Sequence, residues 1–226
     1  MIRVAKTVTL ALLVLLVSVA SASAQGNRRI LVMPFENVSR DARIVWVGEA
    51  ASVLVADNLN ALGASAITRD ERREAFEHLQ VPPAATLTDA TMIRIGQLVR
   101  ASEVVVGTLN MDGDAIVVSA RAIALDEAKV RASTSERGAL TDLFSLFEHV
   151  AMRVAPDSAR VTADVERPHP PVAAFENYIK GLLAETPATA VTYLQTALKA
   201  DATFDRARIA LWEVYDNQGE HAKALA

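Results

Sequence analysis

Apolar residues follow one another without a break through RILVMPF (residues 29–35), and a polar stretch, ENVSRDAR, comes directly after. A continuous apolar run of this length predicts a strand buried on both faces, as in an α/β sheet. From Val47 the period changes. Val47, Ala51, Leu54, Val55, Asn58 and Leu62 fall on one helical stripe with Asn58 as its polar member, and Gly63 stands where a C-terminal cap is expected. SAI (65–67) is a short strand. Thr68 and Glu71 have capping-box spacing and open a charged helix, ERREAFEHL, which Pro82-Pro83 is expected to stop. Thr88 caps a further helix in TLTDATMIRIGQLVRAS. EVVVGTLN is a second buried strand and Asp112-Gly113 a hairpin turn, and AIVVSARAIAL and KVRASTSE then pair around DEA to complete a β-meander. In ALTDLFSLFEHVAMRVA, residues Leu140, Leu143, Phe144, Phe147, Val150, Ala151 and Val154 share one face, the clearest amphipathic signal in the chain.

The periodicity lapses over residues 156–171, where the three close prolines of ERPHPP predict a stiff, extended linker. Beyond it, Ala190-Val191 recurs as Ala224-Leu225 at a spacing of 34 residues, the tetratricopeptide length. Leu211, Trp212 and Tyr215 lie on the first helix of the second unit, a QGEHAKAL turn follows, and Ala224 falls where two helices would cross. These residues resemble the tetratricopeptide pattern. The first unit, AAFENYIKGLLAETPATA, departs from it: its loop is shorter by about three residues, and Ala202 stands where proline is usual. Two unrelated helical hairpins are the alternative. The sequence stops inside the second helix of the second unit. Stacked repeats bury their faces only against neighbours, so an intact protein longer than this chain is expected.

The amino terminus adds a destination. A short basic start (Arg3, Lys6), an apolar run from Val8 to Val19 and the small residues Ala22-Ser23-Ala24 describe a secretory signal over residues 1–24, cleaved after Ala24. An uncleaved anchor is the alternative, but the apolar core falls short of the ~20 residues a bilayer span needs. No stable membrane span is expected after cleavage, which makes the product periplasmic or secreted. Discounting Arg3 and Lys6 takes the formal charge from −4 to about −6, which argues against nucleic acid as a partner. With no cysteine, thiol catalysis, Cys-ligated metals and disulfides are excluded.

The strand–loop–helix at the start of the mature chain invites a phosphate, but its loop refuses one. It holds Glu36 and Asp41, no glycine before Gly48 and no lysine, so neither a dinucleotide fingerprint nor a P-loop is present. His78, His149, His169 and His221 are scattered, and Asn110 to Ala115 (NMDGDA) lacks the remaining ligands of a calcium loop. Asp70/Glu71 and Asp126/Glu127 fall on a helix start and a turn, and no G-x-S-x-G elbow occurs. No catalytic residue, cofactor or metal is expected.

In order along residues 29–155, ILVMPFENVS, VWVGEAASVLVADNLNALG, AITRDE, IGQLVRASEVVVGTLNMDGDAIVVSARAIALDEAKV and DLFSLFEHVAMRV resemble the TolB N-terminal-like (FlgO-like) domain. Its main motifs are Pro34-Phe35-Glu36-Asn37, Gly107 and the Leu143-Phe144 helix, and their succession tells more than any one of them. The resemblance implies a mixed α/β domain without a catalytic centre, used for assembly or binding at the bacterial cell envelope and commonly fused to tetratricopeptide repeats. The expected architecture is therefore an α/β domain (28–155; mixed sheet with flanking helices), the Pro-rich linker (156–171) and an all-α array of tetratricopeptide-like hairpins (172–226). The expected function is that of a non-enzymatic scaffold whose repeats offer a peptide- or protein-binding groove, with Tyr178, Lys180, Arg208 and Glu213 on the inner faces of the first helices. A small-molecule sensor with its pocket around Glu36 to Arg40 is a second reading, and a structural component of an envelope assembly a third.

Overall fold

The computed structural model describes residues 28–82, 87–156 and 168–224. The signal sequence, most of the Pro-rich linker, Pro83 and the last two residues lie outside the described residues.

Strand β1 (Arg29–Val32) is buried on both sides, with Ile30 and Val32 in one core and Leu31 in the other. It pairs in parallel with β3 (Ser65–Ala66) and β4 (Glu103–Asp112). Antiparallel β5 (Ala115–Ala124) and β6 (Lys129–Ala139) continue the sheet in the order β3-β1-β4-β5-β6. Gly113, at φ 65°, turns β4 into β5, and β6 runs past Glu136 to Ala139, beyond the KVRASTSE segment expected to pair.

The Pro34-Phe35 pair breaks β1. Proline has no N–H for the ladder, and the next donor, Phe35 N, bonds Gly48 O at 3.0 Å instead. The chain then rejoins β4 in parallel as β2 (Glu36–Asn37). The Phe35 ring lies flat against Gly107, where a Cβ would come within 2.3 Å of Cε2, and meets Phe147 edge-on at 6.1 Å. That contact is the physical content of the Pro-Phe and Gly107 motifs. Gly107→Ala is therefore expected to lose about 1–3 kcal/mol in urea unfolding through overpacking, since Phe35 is held from both sides.

Helix α1 (Val47–Ala61) follows the break. Helix α2 (Arg69–His78) carries the predicted capping box, Glu71 N donating to Thr68 Oγ1 and Thr68 N to Glu71 Oε2. Helix α3 (Asp89–Leu98) starts at Thr88 as predicted. The prolines are not what stops α2. It closes earlier, with Gln80 in the left-handed region (φ 53°) and Val81 N bonded back to Phe76 O at 2.8 Å. Helices α2 and α3 cover one face of the sheet around Leu31, Met33, Phe76, Ile95 and Val104.

The other face takes α1 and α4 (Leu143–Val154); the C-terminal helices α5 (Val172–Leu182), α6 (Pro187–Ala200), α7 (Asp205–Asn217) and α8 (His221–Ala224) follow, joined to this side where α5 packs against α1. No strand occurs in this last stretch among the described residues. The α/β region followed by helical hairpins is the architecture the sequence predicts. One expectation is exceeded. Helix α1 is buried nearly all round, Ala50, Ser52, Val53 and Ala56 included, rather than along one stripe. It lies between the sheet, α4 and α5, so little of it faces water. Within the hairpins α5 and α6 cross closely at Gly181, where a Cβ would sit 2.7 Å from Leu194 Cγ.

Candidate functional site

The richest juxtaposition of side chains lies where the hairpins meet the α/β region. Its apolar half is an aromatic chain. Phe144 of α4 meets Phe175 of α5 edge-on at 5.3 Å, and Tyr178 meets Phe204 in the same way at 5.2 Å. Phe175 and Phe204 are tilted at 6.4 Å, and His169 stacks on the outer side of Phe144 at 4.5 Å. Burial pushes the Tyr178 hydroxyl above its ordinary pKa, with the Arg206 and Arg69 charges opposing.

The polar half is a buried knot. Glu49, in the first turn of α1, accepts from Arg72 at 2.5 Å and from Arg69 at 2.7 Å through the same carboxylate oxygen. The second guanidinium arm of Arg72 donates to Val32 O at 2.9 Å, and that of Arg69 to Leu182 O at 3.0 Å. One carboxylate thus ties β1, α1 and α2 to the last residue of α5. Loss of hydration pulls the pKa of Arg72 down while Glu49 opposes it, but an arginine stays charged in a protein. Arg206 of α7 adds a half-exposed pair to Asp57 of α1 at 2.5 Å. Neither Glu49 nor Arg72 carries a local sequence signature. Arg69 and Arg72 stand three apart on α2, and that spacing was the available clue.

The four proposed groove residues are not brought onto one face. Tyr178 is built into the aromatic contact, whereas Lys180, about 200° further round the helix, pairs with Glu176 at 2.6 Å. Arg208 is exposed and spent on Asp205 and on Ala202 O, the latter at 2.6 Å. Glu213, about 140° from it around α7, is exposed. Between those two flanks, on the outward side of α7, Ile209 and Trp212 are 57% and 45% exposed. Ala207 and Ala210, one or two positions along the chain and so on the opposite side of the helix, are buried.

The loop around Glu36 to Arg40 is largely self-satisfied. Asn37 Nδ2 donates to Asp41 O at 2.9 Å, Ser39 Oγ donates to Asn37 Oδ1 at 2.8 Å, and Val38 N donates to Leu109 O at 3.0 Å. The Arg43 side chain and backbone N–H hold the Asp41 carboxyl below its ordinary pKa. Among the described residues no group of three His, Asp or Glu could hold a metal ion, and no helix is long and apolar enough to cross a membrane.

No family model matches the sequence, and no curated protein is found to be similar to it. Solved structures are similar over part of the chain. The LpoB C-terminal domain from Salmonella enterica has 16% identity and a TM-score of 0.40, covering 52% of this chain and 86% of that one. Lipoprotein GNA1162 from Neisseria meningitidis has 20% identity and a TM-score of 0.40, covering 50% and 80%. TolB from Acinetobacter baumannii has 13% identity and a TM-score of 0.40, covering 60% of this chain and 29% of that one. These are distant likenesses to bacterial proteins.

Proposed function

We propose that this chain is an exported, non-enzymatic interaction protein of the bacterial cell envelope. An α/β part (28–155) resembling the TolB N-terminal-like domain carries tetratricopeptide-like hairpins (172–226), with the boundary in the Pro-rich stretch 156–171. The signal-like residues 1–24 support periplasmic or secreted placement. The acidic balance argues against nucleic acid, and no cofactor is invoked.

The observation that carries the reading is the outward side of α7. Ile209 and Trp212 stand one turn apart, outside the buried cores, with Glu213 beside them and the Asp205–Arg208 and Asp216–His221 pairs around them. An apolar strip with a charged rim fits a peptide or helix with apolar anchors and polar flanks. Arg208 and Glu213 then border the contact, Lys180 stands apart on α5, and Tyr178 acts from behind by holding α5 in place.

Trp212→Ala is expected to weaken a captured partner by about thirtyfold or more, as for a central aromatic anchor, in a titration with purified partner. Arg208→Ala and Lys180→Ala should act mainly on the rate of association and its salt dependence. Unchanged affinity in all three variants would move recognition away from the hairpins.

A further inference from the structure

We propose that the free edge of β6, over Ser133 to Arg137, takes up an extended acidic segment of a partner protein as an additional strand of the sheet. This is a contact of the α/β part, separate from the apolar strip on α7.

The hydrogen-bond phase of the sheet identifies the open groups. Val105 O and Leu109 O of β4 accept from Met33 N and Val38 N. Odd-numbered residues of β4 therefore turn their backbone groups toward β1 and β2, and even-numbered ones toward β5. Thr108 and Asn110 stand opposite Ser119 and Val117, so β5 bonds β4 through its odd positions and β6 through its even ones. Opposite Val118 and Ala120 are Glu136 and Thr134, which are bonded inward. Ser133, Ser135 and Arg137 then turn both N–H and C=O away from the sheet. Strand β6 ends the strand order, and no described residue pairs with its outer side.

Sheet edges are commonly guarded by charge, bulges or proline. Here the guards stand at the start of the strand, where Lys129 is exposed and a bulge leaves Arg131 without an opposite residue. From Ser133 to Arg137 neither bulge nor proline interrupts the ladder, and the two serines are too small to shield the backbone.

The charge pattern selects the newcomer. Arg137 is committed to Asp112, and Lys129 and Arg131 to the turn acids Asp126 and Glu127. Two arginines remain, one on each face. Arg121 of β5 lies opposite Ser133 and makes no hydrogen bond or ion pair among the described residues, so its long side chain can reach over that serine. Arg153 of α4 is exposed and held by Glu136 at 3.9 Å. Glu136 is the one carboxylate on β6. A second copy of this chain would bring the same two arginines to the seam, whereas an acidic strand answers both.

The probe is a blocked heptapeptide alternating glutamate and threonine, titrated calorimetrically into the full chain, with the lysine–threonine peptide as charge control. Two further acidic peptides carry N-methyl groups on alternate amides, one in each phase, which removes the donors along one edge and leaves the charge unchanged. Saturable binding of the acidic peptide is expected, at least about tenfold tighter than that of the lysine peptide. One methylated phase should lose about tenfold or more, the scale of two net hydrogen bonds, and the other should keep its affinity. Arg121→Ser should weaken binding about threefold, the scale of an exposed ion pair. Ser135→Pro deletes one outward N–H without touching the β5 ladder, so it should remove binding while β5 and β6 stay paired. Absence of saturable binding, equal binding of the lysine peptide, equal affinity of the two methylated phases, wild-type affinity in Ser135→Pro, or a dimer of the chain alone that Ser135→Pro disperses would each overturn the assignment.

Discussion

Glu49→Ala should cost about 3–5 kcal/mol of stability, the scale of breaking a buried ion pair from one side. Arg72 is only 6% exposed and keeps its charge, so removing its carboxylate partner leaves a buried cation with one carbonyl, that of Val32, to answer it. Arg69 loses the same oxygen and keeps Leu182 O. For a chain of this length the midpoint of thermal unfolding should fall by roughly 6–20 °C. Two companions make the cause visible. Glu49→Gln retains an acceptor and should lose less. Glu49→Ala combined with Arg72→Met removes both charges and should recover part of the loss, because an apolar replacement for a buried pair is often neutral. Urea unfolding of the three variants gives the comparison. A Glu49→Ala loss below about 1 kcal/mol, the scale of an exposed pair, would mean the knot is solvated.

Phe175→Ala is the apolar counterpart, with an expected loss of about 3–5 kcal/mol. Phe175 is 2% exposed and touches Phe144, Tyr178 and Phe204, so truncation leaves a cavity between α4 and the hairpins that neighbouring rings fill only in part. Its location gives a second readout. If the hairpins and the α/β region unfold together, amide exchange should accelerate in α1 as well as in α5 to α7. Exchange that quickens in the hairpins alone, with α1 still protected, would show two units that open separately despite the shared core.

The two substitutions also mark the limit of what could be read along the chain. Thr68, Thr88 and Gly113 announced helix starts and a hairpin turn through local chemistry: a hydroxyl for orphan N–H groups and a residue tolerant of positive φ. The uninterrupted apolar run at β1 announced burial on both faces. Helix α1 was harder. Its six-residue stripe was legible, but the burial of Ala50, Ser52 and Ala56 goes with a helix enclosed by the sheet, α4 and α5, the last two reached across about a hundred residues of chain. Glu49 looked like an ordinary acidic residue in a first helical turn. Only the tertiary arrangement puts it against Arg69, Arg72 and the end of α5. The groove residues illustrate the same limit. Tyr178 and Lys180 are two apart on one helix, which turns one inward and the other out, and the face each meets depends on where the α/β region docks.

The most direct test of the proposed interaction surface is site-specific photo-crosslinking in the native cell envelope, with the photoreactive residue placed at Ile209 or Trp212 on α7 and, for comparison, at Ser119 on the exposed face of β5. A discrete adduct formed from positions 209 and 212, and not from 119, is the predicted result. Adducts from 119 alone, or the same partner from all three positions, would contradict recognition through the hairpins and move the binding surface to the sheet.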